Sequence, residues 1–158
     1  MSRLRQEDAR MYLLSGRAMI TLHNTQPLSG QQAQFKFIVR RKIDKYTQEP
    51  EDIWWVRTAD TQIPQYLGHI INNEFHLCEA LQDLTHPQHK LVGKSPAVFA
   101  WLWKAILKQN VPDFIHLLHT GQCGRCGRKL TDAISINTGI GPECRKILGI
   151  MDAKMKER

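Results

Sequence analysis

Several things are missing from these 158 residues, and each absence narrows the reading. No apolar run approaches the ~20 residues a membrane-crossing helix needs. The opening "MSRLRQEDARMYLLSGRAMI" lacks the unbroken apolar stretch and small-residue cleavage site of a secretion signal. The expectation is a cytoplasmic protein without membrane contact, whose thiols stay reduced. Tandem repeats and low-complexity tracts are missing too, which suits one domain with at most a small appendage. Glycine patterns that cradle nucleotide phosphates do not occur. Neither "HLCE" nor "GQCGRC" supplies the H-x-E and P-C-x-x-C of a zinc deaminase. The final segment "ECRKILGIMDAKMKER" holds no His or Asn, the polar ligands a treble-clef nuclease keeps in its helix. Catalysis is not expected.

Cysteine is scarce, with four in the chain, yet three of them crowd into residues 123–144. Cys123 and Cys126 form a Cys-x-x-Cys, and Cys144 follows after 17 intervening residues. In a reducing compartment such clusters hold metal more often than they form disulfides. Glycine after each cysteine of "CGRCGRK" permits the positive φ of a tight turn, in which backbone amides point at two thiolates converging on one ion. In "GIGPECRKILG", Gly141 caps, Pro142 takes the first helical position and Cys144 falls in the first turn. A helix N-terminus favours thiolate, the ligand form. Knuckle, intervening hairpin and ligand-bearing helix are the logic of a treble-clef zinc module. Ile147, three residues after Cys144, cannot bind metal, so the fourth ligand is sought upstream. His119 ranks first, then His116, then Cys78, which reads more naturally as a small buried hydrophobe. A redox Cys-x-x-Cys would need a βαβ setting that is missing, and the long gap favours zinc over an iron–sulfur cluster.

Ahead of the cysteines the pattern is α+β. "RLRQEDARMYLLSG" suggests a short helix closed by Gly16. "AMITLHN" and "AQFKFIVRRK" suggest paired strands, the second alternating Phe35, Phe37 and Val39 with Lys36 and Arg40. "EDIWWVRTAD", "YLGHII", "EFHLC" and "FIHLLH" read as further strands. "KSPAVFAWLWKAILKQN" is the clearest helix, with Ser95 as N-cap, Pro96 first in the helix and Val98, Trp101, Leu102, Ala105 and Ile106 as its buried stripe. Trp54, Trp55, Trp101 and Trp103 are expected in the core rather than as base-stacking platforms. The expected architecture is an antiparallel sheet packed on one main helix over residues 1–112, followed by a treble-clef-like zinc module over residues 113–158.

The net charge of +7 is uneven. Residues 1–100 carry 12 Lys/Arg against 10 Asp/Glu, and residues 101–158 carry 10 against 5. A basic excess beside the cysteines points to a polyanion, nucleic acid first. The contact candidates are Arg125, Arg128 and Lys129 around the knuckle and Arg145 and Lys146 on the following helix, extended by Lys154, Lys156 and Arg158. Arg40, Arg41, Lys42 and Lys45 form a second set at a strand end.

"HTGQCGRCGRKLTDAISINTGIGPEC" resembles the C-terminal module of an uncharacterised phage and bacterial family with the pattern H-x-G-x-C-x-x-C-G-R-x-L-T-x-x-x-S-I-x-x-G-I-G-P-x-C. The resemblance implies metal ligation by His119, Cys123, Cys126 and Cys144, with zinc as the cofactor. "YLGHI" and "VFAWLWKAI" fit more loosely, an insertion "KYTQEPEDI" precedes the Trp pair, and Ala133 stands where proline is common. These departures touch no ligand. The expected function is a non-enzymatic, zinc-stabilised protein of phage or mobile-element type contacting nucleic acid through its basic C-terminal module. The alternative is a phage-encoded interaction factor that binds and inhibits a host nucleic-acid machine or defence complex.

Overall fold

A computed structural model describes the backbone of residues 1–156 and the side chains of residues 1–149. The chain builds one antiparallel sheet from β1 (Ser2–Leu4), β2 (Arg17–Asn24), β3 (Gln34–Ile43), β4 (Pro50–Thr58), β5 (Gln65–Ile71), β6 (Glu74–Leu77) and β7 (Ile115–His119). Their spatial order is β1-β7-β2-β3-β4-β5-β6. Strands β2 to β6 form a meander because each of the first four joins the next through a loop with no intervening element. Asn72 and Asn73, both at positive φ, make the tightest of these, between β5 and β6.

Period-two alternation decides which side chains point inward. Ala18, Ile20 and Leu22 of β2, Phe35, Phe37 and Val39 of β3, and Trp54 and Val56 of β4 are buried. The helices cover that inner side. They are α1 (Ala9–Leu13), preceded by a 3-10 turn, α2 (Glu79–Gln82), α3 (Gln88–Val92), α4 (Ser95–Leu107), α5 (Ala133–Thr138) and α6 (Pro142–Lys156). Helix α4 lays Phe99 edge-on against Phe37 and Phe75, with ring centroids 5.1 and 5.0 Å apart. Helix α1 is pinned where the Trp54 indole donates to the Leu14 carbonyl at 2.9 Å.

The α+β class and the antiparallel strands appear as expected. Helix α4 begins differently. Lys94 is its N-cap, Ser95 already lies inside the helix, and no side chain caps it. Its buried face is Ser95, Phe99, Leu102, Trp103, Ala105 and Ile106, rotated from the expected stripe, so Trp101 stands 44% exposed. Phe99 buries more apolar surface than Val98 would, and Trp103 is held inward in place of Trp101 by its indole N–H, which donates to the Asn73 carbonyl at 2.9 Å. The four tryptophans therefore divide. Trp54 and Trp103 are buried, Trp101 faces solvent, and Trp55 is half-buried on the opposite side of the sheet.

Strand β7 arrives late in the chain but lies between β1 and β2, so residues 113–158 contribute a strand to the sheet itself. Beyond it, the knuckle closes with the single bridge Gln122–Lys129. The expected hairpin between knuckle and final helix is replaced by α5. The Asp132 carboxylate caps it by accepting from the Ser135 N–H at 3.0 Å, and Gly139 ends it at φ 73°.

Candidate metal centre

The Sγ atoms of Cys123, Cys126 and Cys144 lie within 4.8 Å of one another, and none is in a disulfide. Three sulfurs on a tetrahedral zinc at ~2.3 Å would stand about 3.8 Å apart, so a small contraction would seat an ion. The loop is shaped for this. The Cys123 N–H donates to the Arg128 carbonyl at 2.8 Å and the Gly127 N–H to the Cys123 carbonyl at 2.9 Å, which closes the knuckle. Amides of Arg125 and Gly141 point at the Cys123 sulfur, at 3.5 and 3.4 Å. The Arg125 guanidinium reaches the Cys144 sulfur at 3.6 Å.

Burial opposes ionisation of the Cys123 thiol. Amide N–H groups of Cys126, Gly141 and Arg125 outweigh it and bring the thiol down to about 7. Cys144 goes the other way. Burial pushes it up and the neighbouring sulfurs add to that, against the Arg125 guanidinium. Three thiolates so close repel one another unless a cation joins them. This donor set fits a soft-to-borderline metal ion, and amides directed at sulfur are what such sites use to spread thiolate charge.

The structure does not bring His119 to the sulfurs. Among the described residues the three cysteines alone form the metal-competent group. On β7, Ile115, Leu117 and His119 share the inner face, so the imidazole enters the core and is fully buried. Its Nε2 donates to the Ile136 carbonyl at 2.6 Å, and its Nδ1 accepts from the Gly121 N–H at 3.0 Å. Both ring nitrogens are thus occupied by backbone. Burial is the largest influence and holds His119 below the usual histidine range, with the Ile136 carbonyl opposing it. His119 is a neutral strut that ties β7 to α5. His116 lies on the other face of β7, its ring 6.3 Å from that of His23. Cys78 is the N-cap residue of α2, with its sulfur 3.9 Å from the Tyr66 carbonyl. The described residues therefore bring together three candidate ligands. The sulfurs border a cavity of about 440 Å³ whose rim carries Arg125, Arg128, Lys129, Asp132 and Glu143.

The basic candidates separate by what they touch. Arg145 reaches under α5, donating from Nη1 to Ser135 Oγ at 3.0 Å, Thr138 Oγ1 at 3.3 Å and the Ile140 carbonyl at 2.6 Å. It is a staple, as Arg125 is a counter-charge to sulfur. Arg128, Lys129 and Lys146 are exposed. Arg41 pairs with Asp52 at 2.7 Å and lies over the Trp54 ring, while Lys42 pairs with Glu51 at 3.1 Å. The side chains of Lys154, Lys156 and Arg158 lie outside the described residues.

Tyr12 was missed by sequence reasoning, and it joins the metal centre to the sheet. Its ring packs at 5.7 Å from that of His119, and its hydroxyl donates to the Met19 carbonyl at 2.7 Å and accepts from the Met19 N–H at 3.1 Å. Burial pushes its pKa up to about 12. Gly124 and Gly139 flank this ring. A Cβ on either would come within 2.7 or 2.6 Å of it. Nothing in "RMYLLSG" distinguishes Tyr12 from any core aromatic. The signal lay in the glycines it forces.

The fold and site together define an α+β protein carrying a three-cysteine, metal-competent cluster at the edge of its sheet. Residues 117–149, which hold that cluster, match a family described as being of unknown function, DUF6011. No curated protein and no solved structure matches the chain.

Proposed function

We propose that this is a non-enzymatic, zinc-stabilised protein that contacts nucleic acid through the basic surface around its knuckle. The convergence of three sulfurs under directed amides is the observation that carries the metal reading. Cys123, Cys126 and Cys144 would hold zinc beside the cavity that their sulfurs border. Bound there, zinc would neutralise the thiolates and fix the knuckle against α6. Arg128 and Lys129 on the cavity rim, with Lys146 on α6, then present cations suited to phosphate oxygens. The resemblance of the cysteine module is what supports reading it as a protein of phage or mobile-element type.

Phosphate contact makes binding salt-dependent. Band shifts of the zinc-loaded protein on DNA and RNA, across a salt series, test this. The double reversal Arg128→Glu/Lys129→Glu should weaken binding to every sequence and lower the salt slope by about 2, roughly 1 for each lost phosphate contact. Equal binding by wild type and variant would remove the knuckle from the interface. A second reading, docking to a host protein complex, is favoured by Trp101, which stands exposed beside a cavity of about 220 Å³ lined also by Phe35, Val98 and Ile115. A partner that survives nuclease treatment in a pull-down and is lost with Trp101→Ala would support it.

A further inference from the structure

The side of the sheet that no described helix covers is not a polar, solvated face of the ordinary kind. Directly opposed residues share a face, and the register composes this one. One row runs across five strands as Arg17, Arg40, Trp55, His69 and His76. The next runs Met19, Ile38, Arg57 and Tyr66. A third runs Arg3, Leu118, Thr21 and Lys36.

The rings form one continuous group. Trp55 meets Tyr66 at 5.8 Å and His69 at 6.0 Å, and His69 stacks on His76 at 5.3 Å with 24° between planes. The cations interleaved with them are unengaged. Among the described residues the side chains of Arg3, Arg17, Lys36, Arg40 and Arg57 make no ion pair and no hydrogen bond, although the Lys36 backbone N–H donates to the Asp60 carboxylate at 3.1 Å. The carboxylates near this side sit at its margins: Glu51 faces Lys42, Glu74 faces His76, and Asp60 accepts from the Lys36 N–H. The surface is also continuous with the knuckle. The Arg17 N–H donates to the Gly124 carbonyl at 2.7 Å, and its guanidinium lies 3.7 Å from where a side chain on Gly127 would begin.

We propose that this sheet face is a stacking platform for single-stranded nucleic acid, with bases on Trp55, Tyr66 and the His69–His76 pair and phosphates on Arg17, Arg40, Arg57 and Lys36. Ring faces take any base, and unpaired arginines beside them take the backbone. A duplex hides its base faces, so it gains only the charge. The platform deepens the nucleic-acid reading above and rests on it, naming the partner's form and a second surface.

The test uses zinc-loaded full-length protein and a labelled oligothymidylate of about 16 nucleotides, with the same sequence as duplex and inorganic polyphosphate as competitor. Trp55→Ala should weaken single-strand binding about tenfold, Trp55→Phe should recover most of it, and duplex binding should barely change. Arg57→Glu, a surface charge change, reads the same face should Trp55→Ala not fold, and should also weaken binding about tenfold. Single-strand binding within twofold of wild type for both Trp55→Ala and Arg57→Glu would overturn the platform. So would displacement by polyphosphate that is as easy for wild type as for Trp55→Ala. If Arg128→Glu/Lys129→Glu abolishes binding while the sheet variants do not, the knuckle reading survives and the platform fails. The reverse pattern leaves the platform alone standing, and absence of any oligonucleotide binding removes both.

Discussion

The sheet layer and the cysteine module share one continuous core but contribute to it very unequally. In the sheet layer Phe37, Val39, Val56, Leu67, Ile70, Phe99, Leu102 and Trp103 are all nearly inaccessible, and the interior is apolar on both sides of the contact. Among the described residues of 120–149 the buried aliphatics are Leu130, Ile140 and Leu148, and the other buried side chains are polar or sulfur-bearing. Apolar burial on the scale of the sheet layer offsets chain entropy by itself. The described apolar set of the module is small, and a metal at its three sulfurs would add the cross-link that short segments of this kind use. A metal bound at the three sulfurs would extend the domain by chelation rather than by core, with Tyr12 and His119 linking the chelate to the sheet.

The comparison breaks most visibly if metal is withdrawn. Chelation of the zinc-loaded protein, or Cys144→Ser, should release amide protection across residues 120–149 while β3 to β5 keep theirs, since structural zinc contributes on the order of 10 kcal/mol to such segments. Hydrogen exchange followed by mass spectrometry reads this directly. Simultaneous loss of protection in both regions would mean that their shared core unfolds as one unit and that the module has no separate dependence on metal.

Gly139→Ala attacks the junction. It asks a side chain to adopt φ 73° with its Cβ 2.6 Å from the Tyr12 ring, so thermal unfolding should show a loss of about 4 kcal/mol. A near-neutral result would show that the ring moves freely.

His119→Ala sharpens the division between support and ligation. It should cost about 3 kcal/mol, because the Ile136 carbonyl and the Gly121 N–H lose their partner in the interior. Metal content should stay at the wild-type value. A variant that loses its metal would restore His119 as a ligand.

The smallest effect is on pH. His119 is held below its unfolded value of 6.5, so the unfolded chain takes up the proton first. Its contribution is complete above that value and is lost as pH falls through it. Melting temperature should therefore decline below about pH 6.5, less steeply in His119→Gln.

Much of the sheet was legible because alternation is local: Phe35, Phe37 and Val39 mark the inner face of β3 without reference to anything distant. The cysteine trio was legible because Cys-x-x-Cys and Gly-Pro-x-Cys each specify a turn. What escaped depends on long-range placement. β1 is three residues long and exists only because β7 offers it an edge. The same alternation that marks Ile115 and Leu117 as core also sends His119 inward, a consequence that proximity to Cys123 obscured. Asp132 and Gly139 bracket α5 as cap and terminator, yet the alternating Ile134 and Ile136 between them suggest strand. Trp55 and Trp54 are neighbours in sequence and opposites in the sheet, which composition cannot separate but register can.

The most direct measurement is metal analysis of the protein purified under reducing conditions, paired with cobalt substitution. One zinc per chain is predicted, exchangeable for cobalt with thiolate-to-metal charge-transfer absorption that disappears in Cys123→Ser. A folded protein without metal, or one in which any two of Cys123, Cys126 and Cys144 are joined as a disulfide, would contradict the account.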